Sequence, residues 1–327
     1  MDGPARRCRR PLCSRAVSET QIEISLEAVI VAVTDNEPRL LTVEGPVGRP
    51  ALPSGLLELH DQTLERGLRR WVQDQTGLEV GYVEQLYTFG DRVRGSQPRS
   101  DEHQPRNLSI AYLALVREGR PSAGAAWRDV YDFLPWEDHR DGRPAVLAEH
   151  IEPALRRFVD DGGVEGERRA ERVAIVFGAD GDGAFDGVRA LERYELLYEL
   201  GLVLESDPAG ASSPEQLLQS RAMYLDHRRI AATALSRLRG KLTYRPVVFE
   251  LLPDRFTLSQ LQHVVEALAG VRLHKQNFRR LVEAAGLVEG TGAQARTGGR
   301  PAELFRFRRE VLSERPAPGV GTPWVRA

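Results

Sequence analysis

The chain has 327 residues, with 45 Lys or Arg, 47 Asp or Glu and 41% hydrophobic residues. This length exceeds what one hydrophobic core usually serves, so we expect at least two domains. Apolar runs stay shorter than the roughly 18 residues that a transmembrane helix needs, which argues against a membrane span. Residues 1–20 are basic and have no apolar stretch like that of a secretory signal, so we interpret them as a disordered arm. Cys8 and Cys13 lie in this arm without a Cys/His cluster to complete a zinc site, which favours a reduced, cytoplasmic setting and leaves their role unassigned.

The formal net charge of -2 hides an asymmetry along the chain. Residues 237–309 contain fourteen Lys or Arg against six Asp or Glu, a net of +8, and the remainder has 31 against 41, a net of -10. A basic segment of this kind is typical of a surface that meets a polyanion.

Residues 21–137 have the pattern of an α+β domain. Apolar and polar residues alternate over 21–45 on both sides of a DNEP turn, which predicts a hairpin. Apolar residues at helical spacing over 61–77, followed by a glycine at the C-cap position, predict one helix. Three further strands are predicted at 82–90, 107–116 and 128–136, and a long polar loop separates the first two of them.

Residues 138–236 are interpreted as a helical connector between two domains. Spacings of three and four between apolar residues predict helices at 145–159, 187–201 and 213–240. The intervening segments are rich in Gly, Asp and Ser, which is typical of loops.

Residues 237–312 have the order of a winged helix-turn-helix, and residues 313–327 form a tail. Thr257 and Gln260 have the spacing of a capping box at the start of a helix that ends at Gly270. A second helix follows after a short turn, and a basic hairpin comes next.

The second helix of this unit is the predicted recognition helix. Phe278, Leu281, Val282 and Ala285 are spaced to face the core. Arginine, glutamine and asparagine are the side chains that read guanine and adenine in the major groove. A solvated helix face is the less favoured alternative, because the helix pair, the hairpin and the +8 charge coincide. The predicted DNA-binding residues are Lys275, Gln276, Asn277, Arg279 and Arg280 on the helix, and Arg296 and Arg300 beside the hairpin tip.

Residues 62–78 resemble a Nudix box that has lost most of its acids. That motif reads G-x5-E-x7-R-E-U-x-E-E-x-G-U, where U is aliphatic and the glutamates hold Mg²⁺. In this register Arg70 matches the arginine, while Gln62, Trp71 and Gln75 replace glutamates and only Asp74 keeps a carboxylate. Mg²⁺ usually takes one or two carboxylates beside substrate phosphates. We therefore expect no metal, no catalytic residues and a pseudoenzyme with at most weak residual hydrolysis.

Basic residues near this box could still hold a nucleotide. The predicted effector contacts are Arg70, Asp74, Arg92 and Arg106, on the box helix and the polar loop. Arginine donates paired hydrogen bonds to phosphate. The alternative is that half or more of the arginines in this region are ordinary solvated side chains.

Taken together, the motifs resemble those of the Nudix-related transcriptional regulators of NAD metabolism, the NrtR-like regulators. The resemblance rests on the LPSG turn, the degenerate box, YTFGD and SIAY, and most strongly on FTLSQLQHVVEALAG, KQNFRR and GGRPAELFRF. It covers residues 21–136 and 241–309, and the long insert between them is similar to that of the NadQ-type branch. The resemblance implies an N-terminal Nudix-like α/β/α domain and a dimeric, DNA-binding repressor. It also implies an adenine nucleotide effector, ATP or ADP-ribose, sensed by the Nudix-like domain.

Two other function classes remain open from the sequence. An active Nudix hydrolase acting on ADP-ribose or a related nucleoside diphosphate derivative would need the acids that the box lacks. A protein or RNA adaptor would leave the arginine and amide face unexplained.

Overall fold

The computed structural model describes residues 22–90, 106–178, 185–207, 218, 220–296 and 301–320. The predicted arm with its two cysteines, Arg92 and Arg300 lie outside these residues. Among the described residues, no helix combines the length and the apolar character needed to cross a bilayer.

The first unit is built on a mixed seven-stranded sheet. The strands are β1 Ile22–Thr34, β2 Glu37–Glu44, β3 Pro50–Ala51, β4 Ser54–Leu56, β5 Tyr82–Phe89, β6 Arg106–Leu115 and β7 Ala125–Asp129. The central strand β1 pairs in parallel with β6 and antiparallel with β2 and β4, while β3 and β7 extend the β2 side and β5 forms the far edge. The predicted hairpin is confirmed, and Asp35 and Asn36 form its turn with positive φ values of 52° and 65°.

Two apolar layers cover the faces of this sheet. On one face, Leu26 and Ile30 of β1 pack with Leu68 and Val72 of helix α1, Leu64–Thr76. On the opposite face, Val29 and the alternate β1 residues pack against the connector and the terminal unit. Period-two alternation in a sheet covered on both faces explains why β1 is apolar almost throughout.

The predicted strand at 128–136 is wrong beyond Asp129. The side chain of Asp129 accepts a hydrogen bond from the Tyr131 amide and caps a short helix α2, Val130–Phe133. A 3-10 turn at Pro135–Glu137 follows. The aspartate cap therefore ends the extended conformation that the apolar residues suggested.

The connector is helical, as predicted, but its elements differ. A π-helical turn, Leu147–Ile151, leads into α3, Glu152–Asp160, and α5 spans Ala190–Glu199. Helix α4, Gly166–Phe177, was not predicted. The helix predicted at 213–240 begins only at His227 and runs to Leu242 as α6, because residues 220–226 are not helical and Leu225 has a φ of 46°.

Helix α6 crosses the predicted boundary between residues 236 and 237. It packs on α5 of the connector and on α7 of the terminal unit. The two units therefore share one helix and the same buried apolar cluster.

The terminal unit has the helix pair and hairpin that the sequence predicts. Helix α7 spans Leu258–Ala269 and starts with the predicted capping box, and α8 spans Lys275–Ala285. Strands β8, Val288–Ala295, and β9, Ala302–Phe307, form the hairpin, and a short α9, Val311–Glu314, follows. The Phe256 backbone bridges to Phe305, which fixes the hairpin against the start of α7.

Candidate functional site: a degenerate Nudix box and an exposed basic helix

Capping residues define both ends of the box helix α1. The Thr63 side chain caps the N-terminus by accepting from the Arg66 amide, and Gly77 ends the helix in the left-handed region with a φ of 70°. The apolar residues Leu68 and Val72 are buried against the sheet. The remaining face of α1 therefore points toward β4 and the solvent.

Two of the residues that replace box glutamates bind the backbone of β4. Trp71 Nε1 donates to the Leu56 carbonyl at 2.8 Å. The Gln75 amide accepts from the Ser54 amide at 3.0 Å and donates to the Ser54 carbonyl at 2.7 Å. A Cβ at Gly55 would lie 2.1 Å from the Trp71 ring, so the indole needs a glycine there. Trp71 and Gln75 therefore join α1 to the β4 backbone from positions where the motif has metal ligands.

Arg70 is paired with two carboxylates. Its Nη2 lies 2.8 Å from Asp61 Oδ2 and its Nη1 lies 3.0 Å from Glu58 Oε1. The Arg70 hydrogen bond holds the pKa of Asp61 below its usual value. Its guanidinium also lies 4.7 Å from the Trp71 ring centroid. A nucleotide phosphate would have to compete with these carboxylates for Arg70.

Of the remaining predicted effector residues, Arg92 lies outside the described residues. Asp74 is exposed on α1. Arg106 starts strand β6, opposite Ile22. Among the described residues, no group of three acidic, histidine or cysteine side chains could hold a metal ion.

A polar patch on the sheet was missed by the sequence reasoning. Glu27 lies in β1 with 4% exposure, and the Ser25 hydroxyl donates to its Oε1 at 2.6 Å. Burial outweighs the hydrogen bond from Ser25 and raises the pKa of Glu27. Nearby on the same face, Tyr87 of β5 is 61% exposed and meets Phe89 edge to face at 5.3 Å. A glutamate inside the apolar run of β1 was the signal that could have identified this patch.

Helix α6 contacts the first unit at both of its ends. At its start, His227 Nδ1 accepts from the Leu52 amide at 2.9 Å, and burial lowers the pKa of this histidine to about 4. Near its end, the Lys241 ammonium pairs with Glu84 of β5. Both ends of α6 are therefore fixed to the Nudix-like sheet unit.

A buried polar node lies where the three parts of the chain meet. The Glu137 carboxylate is fully buried and binds Arg193 of α5 at 2.6 Å and Arg239 of α6. Although burial opposes ionisation, these two guanidinium groups hold the pKa of Glu137 below its usual value. Arg239 Nε also donates to the Leu268 carbonyl at the end of α7 at 3.0 Å.

The same node contacts the turn between α7 and α8. The Tyr131 hydroxyl donates to the Ala267 carbonyl at 2.7 Å, and the His139 amide donates to the Gly270 carbonyl at 2.7 Å. Gly270 has a φ of 72°, and a Cβ there would lie 2.4 Å from the Glu137 carbonyl oxygen. The turn that orients α8 is therefore packed directly on the first unit.

Helix α8 exposes all five residues predicted to read DNA. Lys275, Gln276, Asn277, Arg279 and Arg280 are exposed along it, while Phe278 and Val282 are buried beneath.

The prediction that Leu281 faces the core is wrong, because its side chain is 49% exposed. Phe278 and Val282 differ by four positions and fill the narrow contact, which leaves Leu281 at its flank. Ala285 is half-buried, as its spacing suggested.

The hairpin extends from the same unit. Gly290 and Gln294 enclose a register irregularity in β8, and Arg296 is exposed just after this strand. Phe307 of β9 stacks on Phe249 at 4.3 Å, which fixes the base of the hairpin. Helix pair, exposed basic helix and hairpin are the parts of a winged helix.

Comparison with known domains assigns this unit. Residues 248–307 match the family model of the NrtR DNA-binding winged helix domain. This match confirms the resemblance to the NrtR-like regulators that the terminal motifs indicated. The NrtR-type winged helix contains α7, α8 and the hairpin.

A curated relative supports the same resemblance. Over 82 residues the chain is 39% identical to the ADPR responsive transcriptional repressor NtrR of Acinetobacter baylyi. The match covers 25% of this chain and 33% of the relative, so the chain spans about a third of that relative's length.

Three solved structures align with most of this chain and share its fold. Shewanella oneidensis NrtR complexed with a 27mer DNA has a TM-score of 0.54 at 20% identity, covering 89% of this chain and 95% of that chain. NrtR of the same organism in another crystal structure has a TM-score of 0.52 at 22% identity, covering 89% and 96%. A MutT/nudix family protein from Enterococcus faecalis has a TM-score of 0.51 at 15% identity, covering 88% and 87%. The α+β fold class with its Nudix-like and winged helix parts is thereby confirmed.

Proposed function

We propose that this chain is a DNA-binding transcriptional regulator, acting as a repressor of genes of NAD biosynthesis and metabolism. The observation that carries the proposal is the exposed, basic and amide-bearing face of α8 within an NrtR-type winged helix. Arg279 and Arg280 supply guanine-reading groups, and Gln276 and Asn277 supply adenine-reading groups. Lys275, Arg296 and Arg300 bind the phosphate backbone or the minor groove beside them.

The Nudix-like unit is proposed to bind an adenine nucleotide effector. ADP-ribose is favoured over ATP, because a curated relative that matches part of this chain is named for its response to ADPR. The polar patch of Ser25, Glu27 and Tyr87 offers hydrogen bonds and an exposed ring for a base. Binding there changes operator affinity only to the extent that the nucleotide prefers one of the free and DNA-bound forms.

We further propose that the box is catalytically inactive. Trp71 and Gln75 hold the β4 backbone, and Asp74 alone cannot supply the carboxylates that Mg²⁺ usually takes beside phosphates. The test is incubation of the purified protein with ADP-ribose and Mg²⁺. Robust formation of AMP would overturn this proposal and favour the Nudix hydrolase alternative.

The protein is proposed to act in the cytoplasm as a homodimer on a palindromic operator. A two-fold symmetric operator mirrors a two-fold symmetric reader, with half-sites about 34 Å or a multiple apart. Sedimentation of the protein with its selected duplex should give two chains per duplex.

The experiment that tests the function begins with duplexes selected by the wild-type protein from a random library. Replacing Arg280 with Ala should weaken binding to the selected duplex by about 1 to 3 kcal/mol and relax preference at one base pair. Arg168→Ala is the matched control, because it removes the same charge from a side chain that is 81% exposed on the connector. Equal operator affinity of wild type and Arg280→Ala would contradict the assignment of α8.

A further inference from the structure

The recognition helix carries one large apolar side chain on its exposed surface. Leu281 is 49% exposed, whereas Phe278 and Val282 on the adjacent stripe are 3% and 0% exposed. The core beneath α8 is therefore filled without Leu281.

The neighbours of Leu281 belong to the DNA-reading surface. Asn277 lies four residues earlier and Ala284 three residues later, and both are exposed on the same stripe of the helix. Arg280 is the adjacent residue and is exposed as well. The small Ala284 side chain adds little bulk beside Leu281 on this stripe.

An apolar side chain at this position has one matching group on DNA. The edges of all four base pairs in the major groove carry hydrogen-bonding atoms, and only thymine adds an apolar group, its C5-methyl. We propose that Leu281 is a specificity-determining residue that packs on a thymine methyl of the operator. This inference rests on the proposed function, since it requires α8 to enter the major groove.

The contact adds information that the polar residues of α8 do not provide. Arginine and the two amides select guanine and adenine through hydrogen bonds, whereas Leu281 selects a thymine on either strand by shape. Burying the thymine methyl against leucine contributes about the free energy of transferring one methylene group out of water, which corresponds to about a fourfold change in affinity.

The test replaces single thymines of the selected duplex with deoxyuridine, which removes only the methyl group. At one position of each half-site, the wild-type protein should bind the deoxyuridine duplex about fourfold more weakly. Leu281→Ala should bind the thymine and deoxyuridine duplexes equally at that position and keep its response to changes elsewhere. Leu281→Met should retain most of the discrimination, because it keeps an apolar side chain of similar volume.

Leu312→Ala is the matched control. Leu312 is 52% exposed in α9 of the same unit but lies outside α8, so its replacement should leave the thymine preference unchanged. Thermal unfolding of both variants should match the wild type, since neither side chain is buried.

Two results would overturn the inference while leaving the proposed function intact. One is a wild-type protein that binds its selected duplex but responds to no deoxyuridine substitution. The other is a Leu281→Ala variant that still distinguishes the thymine duplex from the deoxyuridine duplex as the wild type does. If the sedimentation mass of that variant also changed, Leu281 would be assigned to contact with a second copy of the chain. Failure of the wild type to select any duplex sequence would instead refute the function itself.

Discussion

Replacing Glu137 with Gln removes the negative charge at the centre of the buried node and keeps a side chain of the same shape. Arg193 and Arg239 are 4% and 0% exposed at their side chains, and both would lose their carboxylate partner. Breaking a buried ion pair by removing one partner typically costs about 3 to 5 kcal/mol, because the remaining charge stays buried without compensation. The loss in unfolding free energy should fall in that range, since two guanidinium groups are affected while Arg239 keeps its bonds to backbone carbonyls.

The measurement is urea unfolding followed by far-ultraviolet circular dichroism at pH 7. The midpoint should shift with little change in slope, because the surface exposed on unfolding stays the same. Glu65→Gln is the matched control, since Glu65 pairs with Arg69 at 2.7 Å but is 52% exposed, and its loss should cost about 0 to 1 kcal/mol. A midpoint for Glu137→Gln equal to that of Glu65→Gln would refute the view that the node stabilises the fold.

Three further outcomes are expected. The pKa of His227 falls from 6.5 to about 4 on folding, so its contribution to the free energy of unfolding is complete above pH 6.5. About 3 kcal/mol of that free energy is lost as the pH drops toward 4. His227→Gln should flatten the fall in melting temperature between pH 7 and pH 5, and an unchanged slope would contradict this. Gly270→Ala should destabilise more than Gly292→Ala, because both have a positive φ but only the first would push a Cβ against other atoms, and equal melting temperatures would contradict the close approach. Trp71→Phe should cost about 1 kcal/mol in urea unfolding through the lost hydrogen bond to the Leu56 carbonyl, and no loss would show that bond to be unimportant.

Local patterns in the sequence predicted the elements whose signals are themselves local. The hairpin of β1 and β2, the capping box at Thr257 and the glycine caps at Gly77 and Gly270 depend on residues within a few positions of one another. Each was found where the pattern indicated it. The short helix α2 was missed because an apolar run concealed the capping role of Asp129.

The site depends on contacts that sequence spacing does not contain. Glu137 meets Arg193 and Arg239 across separations of 56 and 102 residues, and His227 meets Leu52 across 175. Arg70 was expected to be available to phosphates, but Asp61 and Glu58 occupy it because the loop before α1 folds back. Helical periodicity gives the direction of Leu281 around α8 but not how wide the packed contact is.

The node at Glu137 determines how this protein can be taken apart. Residues 138–236 separate the first unit from the terminal unit, so their deletion is the simplest way to shorten the chain. Deleting that segment would remove both Arg193 and the start of α6, leaving Glu137 with one partner and the Leu52 amide without the His227 ring. A chimera that exchanges the first unit must therefore carry Glu137, α5 and α6 together.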